Sequence, residues 1–490
     1  MGISLNPATI LSGQGIDVSS LVQQIISEQS GELSVWQGQQ TTLATQEGLL
    51  EGMQNNLTNL QTAVAALADP TGALAAQAAT SSNTAILSAT ADSTAIAATH
   101  NIVVTSLATS GTLYTDPIAA GADTSFLANG QTTADIKLQV GGASGNTDDI
   151  AITQGSNDTL NTLASYINTQ SAANGWGVTA SVVSDTSGSR LALFSQSSGT
   201  AGALAIASNT NTTLNFDTPV GGTDAALTID GVPFSSSSNT VTGAIQGVTL
   251  SLASQSPGNP VQLTVGPDQN QITDAVNNFV SAYNTVISTI NSQYVVDPTG
   301  AIPAPPLEAD ISLRSLQSSM LTDAGFAVGG NSGLVNLASM GINMNNDGTL
   351  TVGSTPAQDS SSSGQTFAQV LAANPSAVIS FFQNASATGF ANNFNADLTN
   401  LTAPTTGPLN VELAQDQAEG TDLTTTITNF QTNLITESAA LTAQYDTVNA
   451  SLQSYPLLLQ EITETLGTLG SGTSSSGALV SSGPTLTSGL

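Results

Sequence analysis

Residues 43–67 read LATQEGLLEGMQNNLTNLQTAVAAL, and their apolar side chains recur in alternating steps of three and four. This spacing places them along one face of a helix, as in a coiled coil, with Gln46 as the single polar interruption. A second seam, residues 421–469, has the same spacing near the C-terminus. Two consecutive steps of four meet at Leu441 and shift the seam around the helix, as a stutter does in a coiled coil. The sequence therefore predicts two long amphipathic helices, one near each end of the chain.

Neither seam can stabilise a helix in isolation, because ordering the backbone costs more than one exposed apolar stripe returns. An ordinary amphipathic helix on a globular core is the alternative, but terminal helices of ordinary domains are rarely this long. We therefore expect the two ends to order against each other or against partner subunits. The seam positions expected at a subunit or filament interface are Leu43, Leu50, Met53, Leu57, Leu60, Val64, Leu67, Leu434, Leu441, Tyr445, Val448, Leu452 and Tyr455.

Composition restricts the partners of this chain. Its 490 residues carry 34 acidic side chains against three basic ones, for a formal net charge of −31. Nucleic acids and anionic membranes require a basic surface, so neither is an expected partner. The sequence also lacks cysteine, a run of membrane-spanning length and the basic and apolar regions of a cleavable signal. If the protein works outside the cell, we expect export without a cleaved signal peptide.

The order of patterns predicts a multidomain α+β fold: a long helical coiled-coil shaft formed by both termini, with inserted β-rich head domains. Pro456 lies within the C-terminal seam and is expected to kink or end that helix. The expected segments are a flexible start (1–20), an N-terminal shaft helix (21–75), a first β-rich head (76–112 and 208–268), a second, distal α+β head (113–207), a helical shaft region (269–405), a C-terminal coiled-coil helix (406–469) and a disordered tail (470–490).

The second head has the clearest internal pattern. Alternating segments at 136–140 and 150–152 are typical of half-buried strands. A helix over 159–168, capped by Asp158, and strands at 178–183 and 190–194 complete a predicted ββαββ unit.

The first head and the following shaft region give further local predictions. Strands are expected at 225–234, with Asp230-Gly231 as a turn, and at 248–252 and 261–265. A helix follows, in which apolar residues from Ile272 to Ile290 step by four and three.

Catalytic chemistry has little support. His100 is the only histidine, beside a predicted strand, and is more simply a surface or packed imidazole than a ligand. Asn343–Gly348 superficially resembles a calcium loop, but its twelfth position is Ser354 instead of glutamate, so a hairpin turn is favoured. We expect no cofactor, no metal and no enzymatic activity. A carboxylate-dependent glycosidase is the weak alternative, requiring two inward carboxylates about 5–10 Å apart.

Several strings, in order along the chain, resemble the family of bacterial flagellar filament cap proteins, hook-associated protein 2. Gly13–Val22 resembles the family's Gly-x-Gly-hydrophobic-Asp opening, and Ser238–Leu250 resembles its most recognisable β segment. Phe279–Val286 carries the Phe-Val-x-x-Tyr-Asn helix, and the ββαββ unit is similar to a motif shared with other hook-associated proteins and flagellins. The positions that match family motifs in the shaft are Phe279, Tyr283, Asn284, Asp310, Leu313 and Arg314.

The resemblance implies a non-enzymatic extracellular protein at the distal tip of the flagellar filament. It implies a small homo-oligomeric ring, often a pentamer, that promotes flagellin folding and insertion and prevents flagellin loss. Flagellin, flagellar junction proteins and an export chaperone are the implied partners. A hook–filament junction protein or flagellin-like subunit remains an alternative in the same system, and an acidic adhesin with a helical stalk is an alternative from another class.

Overall fold

A computed structural model describes residues 17–141, 145–295, 299, 303–353, 364–384 and 386–470. Of the predicted flexible start (1–20) and disordered tail (470–490), residues 1–16 and 471–490 lie outside these residues, whereas residues 18–20 belong to a helix, so that part of the prediction is wrong. The helices are α1 (Val18–Gln29), α2 (Gly31–Ala68), α3 (Leu160–Asn174), α4 (Gln269–Ser292), α5 (Ile311–Ala324), α6 (Phe367–Ala373), α7 (Pro375–Phe382), α8 (Phe390–Leu401) and α9 (Pro408–Gly470).

The strands all pair in an antiparallel sense. They are β1 (Gln77–Ser81), β2 (Leu87–Ala91), β3 (Ala98–Ser106), β4 (Ser110–Tyr114), β5 (Thr133–Val140), β6 (Asn146–Thr153), β7 (Val178–Asp185), β8 (Gly188–Ser198), β9 (Leu204–Thr210), β10 (Ala225–Ile229), β11 (Val232–Ser236), β12 (Thr240–Ile245), β13 (Val248–Leu252), β14 (Val261–Pro267), β15 (Ile342–Met344) and β16 (Leu350–Val352).

The chain forms two compact units. One contains the described residues up to Thr58, Ser288–Ser318 and those from Thr399 onward; the other contains Asn59–Ile287 and Ser319–Leu398. The first unit is helical in its described residues, and the second contains all the described sheets together with helices. The predicted multidomain α+β class is therefore confirmed.

In the helical unit, Asp17 caps α1, with its Oδ1 accepting a hydrogen bond from the Ser20 amide at 3.1 Å. The long helix α9 continues for 63 residues with Pro456 inside it, so of the two expected effects of this proline the end of the helix is wrong, and a kink stays a prediction. Proline removes one helical hydrogen bond, and in an exposed stretch of helix that single loss does not interrupt the remainder.

The first head of the second unit consists of a five-stranded sheet, β1-β14-β3-β10-β11, and a three-stranded sheet, β12-β13-β2. Asp230 (φ 52°) and Gly231 (φ 83°) form the predicted two-residue turn between β10 and β11. The strand β12 lies within Ser238–Leu250, the stretch that resembles the family's β segment, and its alternation is interrupted at Gly243, where the β12–β13 register also shifts. The core includes Leu87, Ile102, Val104, Leu227, Val241, Leu250, Leu263 and Val265.

The second head places α3 with two three-stranded sheets, β4-β8-β7 and β6-β5-β9, around one core. Its predicted ββαββ order is confirmed, but Thr159 caps α3 in place of Asp158. Asp158 Oδ1 instead accepts the Gly155 amide at 3.0 Å. The strands β4 and β9 add to these sheets, so the predicted boundary between residues 112 and 113 falls inside β4. The core includes Ile136, Leu138, Ile150, Ile152, Leu160, Leu163, Ile167, Leu191, Leu193 and Leu204.

The second unit also contains an aromatic cluster between helices. Phe279 lies 5.6 Å from Phe390 and 6.0 Å from Phe394, measured between ring centroids, in edge-on arrangements. Phe381 stacks on Phe390 at 5.4 Å. Each of these rings is no more than 1% exposed, so α4, α7 and α8 share one interior.

Candidate assembly interface

The two ends of the chain pair in an antiparallel sense within the helical unit. Residues that face each other across this pair have numbers that add up to about 465. Position 29 therefore lies opposite position 437, and position 54 lies opposite position 410. The expectation that the terminal helices order against each other is confirmed. The contacts are Gln29 Nε2 to Glu437 Oε1 at 2.9 Å, Trp36 to Phe430 with ring centroids 5.1 Å apart, Gln40 Nε2 to Thr424 Oγ1 at 2.8 Å, and Gln54 to Asn410.

A close approach of the two helices occurs at Gly420. A Cβ atom at this position would lie 3.4 Å from a methyl carbon of Leu43 and 3.2 Å from a Glu47 carboxylate oxygen. A Cβ atom would therefore be in ordinary contact with Leu43 and would displace only the flexible end of Glu47. Grooves of about 440 Å³ and about 800 Å³ include Leu43 in their lining and are formed by α2 and α9 alone.

The far end of α9 leaves its apolar seam exposed. Val448 is 47% exposed, Tyr455 64%, Leu459 59%, Ile462 51% and Leu466 65%. Leu457 and Leu458 widen this strip, at 67% and 50%. An apolar stripe of this length on a helix is typical of a surface that another chain covers. The seam residues of α9 from Val448 to Leu466 are called the open seam below.

The other predicted seam positions divide by burial. Leu43, Leu441, Tyr445 and Leu452 are partly exposed, and Leu434 is 8% exposed. The positions that remain candidates for a subunit or filament interface are therefore the four partly exposed ones and the open seam. The remaining positions are at most 1% exposed within a single chain and belong to its interior, where no second subunit could reach them: Leu50, Met53, Leu57, Leu60, Val64 and Leu67.

The family-motif residues on α4 have structural roles. Phe279 and Tyr283 are fully buried, and burial raises the pKa of the Tyr283 hydroxyl, which donates to the Met320 carbonyl at 3.4 Å. Asn284 bonds both backbone groups of Leu350: its Nδ2 donates to the carbonyl at 2.7 Å, and its Oδ1 accepts the amide at 2.6 Å. The Asn284 side chain therefore pairs with the backbone of β16 as a neighbouring strand would. These two hydrogen bonds hold the β15–β16 hairpin against α4.

The motif residues around α5 form its first turn. Asp310 Oδ1 accepts the amides of Ser312 at 2.6 Å and Leu313 at 3.1 Å, which caps the helix. Leu313 is fully buried. The Arg314 guanidinium lies 5.5 Å from the centroid of the Tyr294 ring and donates to the Glu308 carbonyl at 3.3 Å.

The other residues considered for catalysis or metal binding also have structural roles. His100 Nδ1 lies 2.7 Å from Asp230 Oδ2, and Asp230 Oδ1 accepts the Asn101 amide, so the pair fixes the β10–β11 turn on β3. These hydrogen bonds, the Asn101 amide first, lower the pKa of Asp230. Asn345–Thr349 form the predicted hairpin connection, with Asp347 bonded to Thr349. Ser354, at the twelfth position of that string, lies outside the described residues.

The described part of the chain has neither a metal-binding cluster nor a membrane-spanning helix. No cluster of three or more histidine, cysteine or acidic side chains is arranged as a metal site there. Within the same residues, no helix combines the length and apolar character needed to cross a bilayer.

Sequence reasoning missed two pairs of facing carboxyl groups. Asp323 on α5 lies beside Asp397 on α8, and Asp310 lies beside Glu412 on α9. An isolated acidic residue in a helix is ordinarily solvent-facing, so the sequence carries no signal for such a pair.

Paired terminal helices, β-rich domains inserted between them and an open apolar seam together define a structural subunit of a larger assembly. Comparison with known proteins identifies that assembly. The profile of the flagellar hook-associated protein 2 N-terminus matches residues 14–111, and that of its C-terminus matches residues 222–455. The flagellin hook IN motif matches residues 135–197, which confirms the resemblance noted for the ββαββ unit.

Relatives agree with these matches. B-type flagellar hook-associated protein 2 of Pseudomonas aeruginosa is 31% identical over 364 residues, covering 69% of this chain and 74% of that protein. Flagellar hook-associated protein 2 of Escherichia coli K12 is 28% identical over 329 residues, covering 63% and 68%. The crystal structure of the D1-D2-D3 domains of the Escherichia coli flagellar cap protein FliD has the same fold, with a TM-score of 0.54 at 24% identity, covering 75% of this chain and 99% of that one.

The chain belongs to the flagellar hook-associated protein 2 family, the family of the flagellar filament cap. This is a family of structural proteins of the flagellum.

Proposed function

We propose that this protein caps the distal end of the bacterial flagellar filament as a small ring of identical subunits, namely a pentamer. In that position it promotes the folding and insertion of flagellin and prevents flagellin loss. Membership of the hook-associated protein 2 family supports this role over the junction-protein and adhesin alternatives.

The observation that carries the proposal is the open seam of α9. A seam whose side chains are about half to two-thirds exposed needs a partner, and other copies of the chain and flagellin are the proposed ones. Flagellar junction proteins and an export chaperone are further proposed partners. The proposed location is extracellular, at the filament tip, reached without a cleaved signal peptide.

The charge of the chain indicates what these contacts consist of. With three basic residues against 34 acidic ones, ion pairs between subunits are few at most. Apolar seams and the amide and hydroxyl groups that already join α2 to α9 are the remaining means of association.

A complementation experiment tests the proposal. A strain lacking the gene is supplied with the wild-type chain, with Leu459→Asp or with Gln460→Asp, the same charge at the neighbouring exposed position. We expect Leu459→Asp to leave cells without filaments and with monomeric flagellin in the medium, because a carboxylate enters an apolar contact. Gln460→Asp is expected to restore swimming. Normal filaments with Leu459→Asp, or filaments on the deletion strain itself, would contradict the proposal.

A further inference from the structure

The start of α9 faces the start of α5 through two carboxyl groups. Asp310 uses Oδ1 to cap α5, which leaves Oδ2 free of that task. Glu412, in the second turn of α9, lies within hydrogen-bonding reach of Asp310. Asp310 Oδ2 and Glu412 Oε2 are both buried, and neither has a protein hydrogen-bond donor among the described residues. Two ionised carboxylates can only accept hydrogen bonds, so this contact lacks a proton donor.

No neighbouring positive charge compensates the negative charge of the Asp310–Glu412 pair in the described part of the chain. Asp416 follows one turn along α9 and adds a further negative charge, with Glu419 next to Asp416. On α5, the Arg314 guanidinium is directed to Tyr294 and the Glu308 carbonyl. On α2, Glu51 lies within a turn of the position that faces Glu412 and is exposed, and Glu47 approaches α9 at Gly420, about two turns further along.

One group favours the charged form of Glu412. The Ser312 hydroxyl donates to its carboxylate, which lowers the pKa. Burial acts more strongly in the other direction, and Asp310 and Asp416 add to it, so the pKa of Glu412 rises to about 7.

We propose that Glu412 and Asp310 form a proton-dependent clasp that joins the first turns of the long terminal helix α9 to the N-terminus of α5. With one shared proton, Glu412 donates to Asp310 and the clasp is closed. Without it, two adjacent carboxylates repel each other and the clasp loosens.

The direction of the pH effect follows from linkage. The pKa of Glu412 is raised in the folded chain from an ordinary value of 4.5, so the proton is bound more tightly there than in an opened state. The stabilisation is complete below the ordinary value and is lost as pH rises through about 7. The first turns of α9 are therefore held more firmly in mildly acidic than in mildly alkaline solution.

Hydrogen–deuterium exchange on the full-length chain at pH 6 and pH 8, corrected for intrinsic exchange rates, tests the clasp. Between these values we expect the opening constant of residues 408–416 and 311–316 to rise roughly three- to tenfold, the lower figure allowing for solvent screening. Glu412→Gln, whose amide donates to Asp310 at every pH, should abolish this dependence. Glu461→Gln, the same charge change at an exposed position of α9, should leave it unchanged.

A second variant separates the proton from general effects on stability. Ser312→Ala removes the hydroxyl that favours ionised Glu412, so the midpoint of the exchange change should move to higher pH. Full pH dependence in Glu412→Gln, its absence in the wild type, or a midpoint that stays or falls in Ser312→Ala would overturn the proposal. None of these outcomes depends on whether the chain caps a filament.

Discussion

Two helices of this protein have the same apolar pattern, but it is buried on one helix and exposed on the other. On α4, Ile272, Val276, Phe279, Tyr283, Val286 and Ile290 follow steps of four, three, four, three and four, and all six are fully buried. On α9, positions 448, 452, 455, 459, 462 and 466 follow the same steps, but five of them are 47–65% exposed and Leu452 is partly exposed.

The comparison separates what a periodic pattern can and cannot say. Spacing determines that apolar side chains share one face of a helix, and nothing in it states what covers that face. The spacing is the same in both helices, and only the exposure of the side chains tells the two seams apart. We interpret the α4 pattern as a core and the α9 pattern as an interface on burial alone.

The largest expected effect comes from truncating one side chain in each seam. Phe279→Ala should lower the free energy of unfolding by roughly 3–5 kcal/mol, because it opens a cavity among Phe390, Phe394 and Tyr283. Leu459→Ala should change it by less than about 0.5 kcal/mol in the isolated chain, because the side chain is already in water. Urea unfolding followed by circular dichroism measures both.

Sedimentation of the same two variants completes that test. Leu459→Ala should weaken self-association while leaving unfolding unchanged. Equal losses of folding stability in both variants would remove the distinction between the two seams.

A smaller effect is expected on the polar side of α4. Asn284→Ala should cost roughly 1–3 kcal/mol, because the buried backbone groups of Leu350 lose both hydrogen bonds to this side chain. Asn277→Ala, at an exposed position of the same helix, is the matched control. Hydrogen exchange at Leu350 should rise only in the first variant, and unchanged protection there would refute the proposed anchoring role.

The smallest effect depends on pH and concerns Asp323, at the end of α5. Burial and the neighbouring Asp397 raise the pKa of Asp323 from 3.8 to about 7. The folded state therefore gains stability from the protonated form at low pH and loses it as pH rises through 7. Asp323→Asn should be roughly 1–2 kcal/mol more stable than wild type at pH 8, after allowance for solvent screening, and nearly equal to it at pH 4.

Urea unfolding from pH 4 to pH 8 measures this dependence, with Asp274→Asn, at an exposed position of α4, as the control. A wild-type advantage that grows toward pH 8 would reverse the assigned direction.

Sequence analysis identified the helices with the longest patterns most accurately. The helix predicted from Ile272 to Ile290 extends from Gln269 to Ser292, and the Asp230-Gly231 and Asp347-Gly348 turns lie where their residues predict. The strands β4 and β9 were not predicted because they pair with strands that lie far along the chain, and segments of five to seven residues carry little strand signal of their own.

The candidate interface could be predicted only in part. Leu57 has the spacing of an interface residue, which by itself predicts that Leu57→Asp blocks assembly without unfolding the head. At 1% exposure it is a core residue, so the structure instead predicts loss of folding in that variant. The carboxyl pairs had no sequence signal, because they join residues 74 and 102 positions apart.

By itself, the sequence determined the amphipathic helices, the inserted β-rich heads, the acidic surface and the family, because periodicity, composition and local motifs are properties of neighbouring residues. Only the tertiary structure decided which seam is core and which is surface, where Asn284 and Asp310 act, and which carboxylates face each other. Those outcomes depend on what lies against each side chain, and that neighbour is distant in sequence.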